Sequence, residues 1–281
     1  MAHRVQVFCS VPACSAENVQ NVDGVQSITI PLDSKSTHHL INVTRLSEGD
    51  LVEVVDPISH KRFSGILKRD SRKSYWCVEI NYQASIASQV KPNNQAAFIV
   101  TRLFVALCKG KINEFLIEKA TELGCQTIIT WHGDRSIPKI SDSNIIHKES
   151  RWRSLASQAA KQSLQNKIPT AYFSPSLSNA IETYHPKDTI LITCSLSPEA
   201  KSPIDLLRII HNQEKIPVYG KEISLVIGPE GDFSPSEEKL LLNNGSRLLS
   251  LGDSRLRVDT ATIFALGVLA GASQALTNNQ T

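Results

Sequence analysis

The six cysteines of this 281-residue chain (Cys9, Cys14, Cys77, Cys108, Cys125, Cys194) include no Cys-x-x-Cys pair. Their scatter argues against a disulfide framework or a zinc ribbon and suits reduced thiols buried as small hydrophobes in a cytosol. His-x-x-x-His spacing and His/Cys clusters are missing too, so no metal is expected. Neither G-x-G-x-x-G nor G-x-x-x-x-G-K-[ST] occurs, which removes the dinucleotide fingerprint and the Walker loop. The first residues, Met1 to Phe8, carry no apolar signal core and no Arg/Ser-rich presequence. The most apolar stretch, Ala261 to Leu276, falls short of the roughly 18–20 residues a membrane span needs and contains Thr262, Ser273 and Gln274. It is expected to be a buried core helix, with no membrane as partner. Internal repeats and low-complexity tracts are absent. A net charge of +3 is too small to point to nucleic acid on its own.

What is present divides the chain. Residues 1–85 read as short strands: Leu51 to Asp56, Arg62 to Lys68 and Tyr75 to Ile80, with Ser36 to Arg45 helical, a spacing that suggests a small β-barrel. Residues 86–96, polar and poor in large apolar side chains, read as a linker. Residues 97–281 alternate strands with helices and predict an α/β domain on a parallel sheet. Strands are expected at 98–107, 127–131, 189–193, 223–227 and 247–251. Helices are expected at 111–123, 151–165, 203–211 and 259–276, with another opened by Ser234-Pro-Ser-Glu237. That segment combines a capping box with Pro at the first helical position.

Two loops stand out. Gly228-Pro-Glu-Gly231 leaves the strand ending at Ile227, and Leu251-Gly-Asp-Ser-Arg-Leu-Arg-Val-Asp259 follows the last strand. Gly228 and Gly231 permit positive φ and close backbone approach, so this loop can present N–H and C=O groups to a planar ligand such as adenine. It reads equally well as an ordinary strand-to-helix turn.

These two segments, Gly228 to Ser234 and Leu251 to Ala261, closely resemble the RsmE family, S-adenosylmethionine-dependent enzymes that methylate N3 of a uridine in 16S ribosomal RNA. Lys109 to Gly124, Arg135-Ser136, Arg151-Trp152, Ala159 to Gln162, His39-Leu40, Arg45-Leu46 and Glu48 to Asp50 extend the resemblance over nearly the whole chain. It implies a SPOUT-type α/β domain with a C-terminal trefoil knot, preceded by a PUA-like barrel that helps hold RNA. It also implies a homodimer built through the knot, 16S ribosomal RNA or the small subunit as partner, and a cytoplasmic location. The cofactor-binding residues it implies are Leu196, Gly228, Pro229, Glu230, Gly231, Leu251, Gly252, Leu256 and Arg257. The sequence departs from the family's usual Gly at Asp232, Ile at Arg255, Glu at Asp259, Glu near Lys161 and Arg near Gln165.

For such chemistry the methyl is already activated, and the protein must align the uridine nitrogen and stabilise its anion. Arg257 is the candidate cation, with a structural ion pair to Asp259 or Glu230 as the other reading. Glu230 or Asp259 is the candidate proton acceptor, and Asp259 also reads as the cap of the last helix. No nucleophile is needed. RNA contacts are expected from Arg45, Lys61, Arg62, Arg69, Arg72, Lys109, Lys111 and Arg135. Within Lys61–Lys73 six cations, Lys68 and Lys73 among them, face one acid, Asp70, though the same charges suit a solvated sheet edge. Tyr75 and Trp76 read as stacking platforms or as barrel packing. Two further functions stay open: methylation of another RNA or base position, and RNA binding without a working cofactor pocket.

Overall fold

The computed structural model describes residues 5–11, 19–22, 25–59, 61–70, 75–81, 98–138, 140–214 and 221–278. The expected linker at 86–96 therefore lies outside the described residues, as do Cys14, Arg72 and Lys73. By contact pattern the chain divides into two compact units, Met1–Pro92 with Ala160–Ile168, and Asn93–Ala159 with Pro169–Thr281. The sequence pattern places 160–168 in the α/β domain, whereas by contacts the segment belongs with the first unit.

The first unit holds a six-stranded mixed sheet in the order β1-β4-β5-β6-β3-β2. Its strands are β1 (Gln6–Phe8), β2 (Val19–Val22), β3 (Val25–Pro31), β4 (Leu51–Val55), β5 (Arg62–Asp70) and β6 (Tyr75–Asn81). β5 alternates buried Phe63, Gly65 and Leu67 with exposed Ser64, Ile66 and Lys68, the period-two pattern of a sheet with one wet face. A short helix α1 (Ser34–His38), capped by Asp33, continues into a π-helical turn, His39–Val43. Leu40, Val54, Phe63 and Ile80 form the core, and Trp76 packs against it. Ala160–Ile168 is bound into this unit: Gln6 Nε2 donates to the Gln165 carbonyl at 2.7 Å, and Arg62 donates to Asn166 Oδ1 and the Leu164 carbonyl.

The second unit is built on a six-stranded, wholly parallel sheet in the order β12-β10-β11-β7-β8-β9. The strands are β7 (Phe98–Ala106), β8 (Thr127–Trp131), β9 (Thr170–Ser174), β10 (Ile190–Cys194), β11 (Lys221–Ile227) and β12 (Arg247–Leu249). The helices are α2 (Ile112–Glu122), α3 (Asp142–Gln162), α4 (Leu177–Tyr184), α5 (Pro203–Glu214), α6 (Pro235–Asn243) and α7 (Val258–Asn278). Successive residues of β7 face opposite layers. Leu103 and Val105 join Leu116, Trp152, Leu207 and Leu266 on one side, while Phe104 and Ala106 join Leu177, Ile181, Leu241 and Phe233 on the other. Helices on both faces explain why the strands read as continuous apolar runs.

Three expectations change here. The helix expected at 151–165 is α3, which starts at Asp142 and ends at Gln162. β9 and α4 escaped notice because β9 is an edge strand with exposed Thr170 and half-buried Tyr172 and Phe173. The clue to α4 was Ser176, whose side chain caps the helix by accepting from the Asn179 N–H. α7 is longer than expected at 21 residues, long and apolar enough by length and composition to cross a membrane. It is also not buried all round: Thr262, Ala265, Leu266 and Leu269 face the core, while Phe264, Gly267, Ala270 and Gly271 are exposed.

Candidate functional site

Three loops leave the carboxyl ends of β10, β11 and β12, the edge of a parallel sheet at which ligands characteristically bind. They enclose one cleft with about 660 Å³ of empty space, the open solvent at its mouth included. β10 contributes Cys194, Ser195 and Leu196; β11 contributes Ile227, Gly228, Pro229, Glu230, Asp232 and Phe233. After β12 come Leu251, Ser254, Arg255 and Leu256, then Val258 and Ala261 of α7. The β10 loop is tied to β12 by the Ser195 N–H donating to the Leu249 carbonyl at 2.9 Å.

Of the residues expected to bind cofactor, Leu196, Gly228, Pro229, Glu230, Leu251 and Leu256 line this cleft; Gly231, Gly252 and Arg257 do not. Cys194, Ser195, Phe233, Ser254 and Arg255 line it without having been singled out as binding residues. The signal for Cys194 and Ser195 was the end of a short apolar strand pointing to the same sheet edge. Leu196 is 52% exposed, an apolar side chain held at the mouth.

The glycines work by close approach rather than by positive φ, which neither Gly228 nor Gly231 adopts. A Cβ on Gly228 would lie 3.0 Å from the Phe233 ring, and one on Gly231 would lie 3.1 Å from Arg135 Cβ. The left-handed residue is Asp232, at φ 64°. Its N–H closes the turn on the Pro229 carbonyl at 2.9 Å, and its Oδ1 accepts the Phe233 N–H at 2.9 Å. Aspartate tolerates this backbone because its short carboxylate bonds locally.

Beneath the turn, Ser234 and Glu237 form the expected capping box, with Pro235 opening α6. Glu237, 5% exposed, accepts the Ser234 N–H at 2.7 Å and the Asp134 N–H at 2.9 Å. Asp134 in turn accepts from the Ser234 and Ser236 hydroxyls at 2.5 and 3.1 Å. Arg135 donates to the Gly231 carbonyl at 3.1 Å. The loop after β8 is thus fastened to the glycine loop, and Arg135, expected as an RNA contact, braces it. Phe233 stacks on Trp131 at 6.0 Å between ring centroids.

Arg257 is exposed and begins α7 through its carbonyl, which accepts the Ala261 N–H at 2.7 Å. Among the described residues no ion pair joins it to Glu230 or Asp259. Asp259 lies inside the first turn of α7, accepting the Thr260 N–H at 2.8 Å. It is not the flanking cap residue, and its charge favours the helix by facing the positive end of the dipole. Glu230 and Asp259 share a neighbourhood. Burial, then the fields of these two carboxylates, push the Cys108 thiol up to about 12, and burial pushes Cys194 up to about 12. Neither thiol is an available nucleophile. Among the described residues no group of three His, Cys, Asp or Glu is placed to hold a metal ion.

The other expected RNA contacts diverge. Arg45, Lys61, Arg69, Lys109 and Lys111 are exposed. Arg62 is half-buried and committed to Leu164 and Asn166, with Glu53 Oε1 at 3.6 Å; Lys68 pairs with Glu79. Lys161 is half-buried in the first unit, where burial and then Lys35 lower its pKa.

Among known proteins, the chain is 25% identical to ribosomal RNA small subunit methyltransferase E of Bacillus subtilis over 254 residues, covering 90% of this chain and 93% of that protein. It is 28% identical to ribosomal RNA small subunit methyltransferase E 2 of Borreliella burgdorferi over 83% of this chain and 87% of that protein. The crystal structure of a ribosomal RNA small subunit methyltransferase E from Neisseria gonorrhoeae bound to S-adenosyl methionine superposes with a TM-score of 0.69, at 21% identity, covering 98% of both chains. A family model described as RNA methyltransferase domain matches residues 95–270. That span holds every loop of the cleft and more than half the chain, which therefore belongs to the RNA methyltransferase domain family.

Proposed function

We propose that the chain methylates N3 of a uridine in 16S ribosomal RNA, using S-adenosylmethionine held in the cleft beyond β10, β11 and β12. The observation that carries this reading is the cleft itself, built from the loops at Gly228–Phe233 and Leu251–Leu256. The names of the relatives and the ligand of the gonococcal structure support the substrate and the cofactor. The lining fits that cofactor. Ile227, Phe233, Leu251 and Val258 offer apolar walls to a base, and Ser195, Glu230 and Ser254 offer polar groups to a ribose and an ammonium.

Bound cofactor would supply a methyl group already activated on a positive sulfur. The protein's own share is alignment, exclusion of water and management of the N3 proton. Arg257, exposed at the start of α7, is the cation for the uracil oxygens as N3 loses its proton. Glu230 and Asp259 remain the acceptors for that proton. Arg45, Lys61, Arg69, Lys109 and Lys111 supply phosphate contacts.

The same reading takes the first unit as a PUA-like barrel, residues 251–278 as the threaded end of a trefoil knot, and the molecule as a cytoplasmic homodimer. After the edge strand β12 the chain returns as α7 to pack on β7 and β11, a path that suits threading. Phe264, 46% exposed, with Gly267, Ala270 and Gly271, offers a flat apolar face to a second copy. Sedimentation should give twice the chain mass, and a monomer at micromolar concentration refutes the dimer. An experimental structure with an unthreaded 251–278 refutes the knot.

Calorimetry should detect saturable S-adenosylmethionine binding, and none at millimolar cofactor rejects the enzyme. Mass mapping of 16S RNA from a strain lacking the protein should show N3-methyluridine lost. Its retention rejects the target.

A further inference from the structure

We infer that Asp232 makes the cleft selective for the positively charged methyl donor over the neutral thioether that remains after transfer. The inference rests on the reading of this cleft as the S-adenosylmethionine site.

Two carboxylates, Glu230 and Asp232, line the cleft against one guanidinium, Arg255. The turn does not require the second carboxylate. At φ 64° a glycine would be unstrained, and an asparagine would accept the Phe233 N–H equally well. Only one Asp232 oxygen is engaged by that N–H. The residue is half-buried, so its field is less screened than that of a surface acid.

The two cofactor forms differ where this charge acts. In the transfer the lone pair of the deprotonated N3 forms the N–C bond, and the C–S pair returns to sulfur. The N3 proton has gone to an acceptor, and sulfur passes from a cation to a neutral thioether. A carboxylate near the sulfur attracts the sulfonium and not the thioether, so it holds the donor and lets the product leave. The amino-acid ends of the two ligands are identical, and a contact there weighs equally on both.

The test is calorimetry of S-adenosylmethionine and S-adenosylhomocysteine on the full chain, as wild type, Asp232→Asn and Asp232→Gly. Asp232→Asn keeps the acceptor and the tolerance of positive φ; Asp232→Gly keeps the backbone freedom. Both should weaken the donor about three- to tenfold and leave the thioether within about twofold, as loss of one partly screened charge predicts. Raising the salt should narrow the wild-type preference. Equal losses for both ligands would overturn the inference and assign Asp232 to the shared amino-acid end. Unchanged affinities would overturn it too. A wild type that binds neither ligand sinks the cleft assignment itself, a result distinct from both.

Discussion

The cleft beyond β10–β12 and the cationic hairpin of β5 and β6 both carry polar side chains suited to a ligand, but they use them differently. Beneath the cleft, the polar groups that support the glycine loop bond to one another and fix its shape. Glu237 serves two N–H groups, Asp134 two hydroxyls, and Arg135 the Gly231 carbonyl. On the hairpin, cations that look equivalent in the sequence split into two sets. Arg62 and Lys68 are held by partners, whereas Lys61 and Arg69 are exposed. A ligand site of fixed shape needs its supports satisfied internally, whereas a phosphate track needs charges left to solvent. Charge density alone therefore overstates the hairpin as an RNA surface, and the glycine loop understates how much structure lies beneath it.

Substitutions can break this contrast. Arg257→Ala should have the largest effect, lowering turnover by about 10²–10³-fold with little change in cofactor affinity, since the residue lies outside the cleft lining. Parallel losses in single-turnover rate and cofactor binding would make Arg257 structural instead. Glu237→Ala orphans the buried Ser234 N–H and frees the part-buried Asp134 N–H, and should cost ~1–3 kcal/mol in urea unfolding, with weaker cofactor binding. Unchanged stability would remove the brace beneath the turn. Arg62→Ala should destabilise by about 1–2 kcal/mol and leave the salt dependence of RNA binding nearly unchanged. Arg69→Ala should do the reverse, with stability shifting by less than ~0.5 kcal/mol and the logarithmic salt slope falling by about one. If the two variants behave alike, the division of the hairpin fails.

Periodicity and caps make much of the second unit legible in the sequence. The apolar runs of β7, β8, β10 and β11 and the Ser234/Glu237 box carry local signals that packing then reinforces. β9 and α4 were not legible, because an edge strand alternates weakly and a two-turn helix has little periodicity to read. At the site, the two loops were visible from Gly228 to Gly231 and from Leu251 to Asp259. The third wall at Cys194–Leu196, the brace from Asp134, and the commitment of Arg62 to residues about 100 positions away are long-range contacts that no local pattern encodes. Asp232 stood out only as a departure from the family's glycine; its left-handed φ supplies the physical reason that only certain residues fit there.

The central claim is that this cleft delivers a methyl group from S-adenosylmethionine to ribosomal RNA. The direct measurement uses the full chain, isotopically labelled S-adenosylmethionine, and small subunits from a strain lacking the protein, followed by mass mapping of the 16S RNA. One labelled methyl per subunit on N3 of a single uridine is the predicted result, strongly reduced for Arg257→Ala. Unlabelled RNA from subunits incubated with a chain that demonstrably binds the cofactor would contradict it.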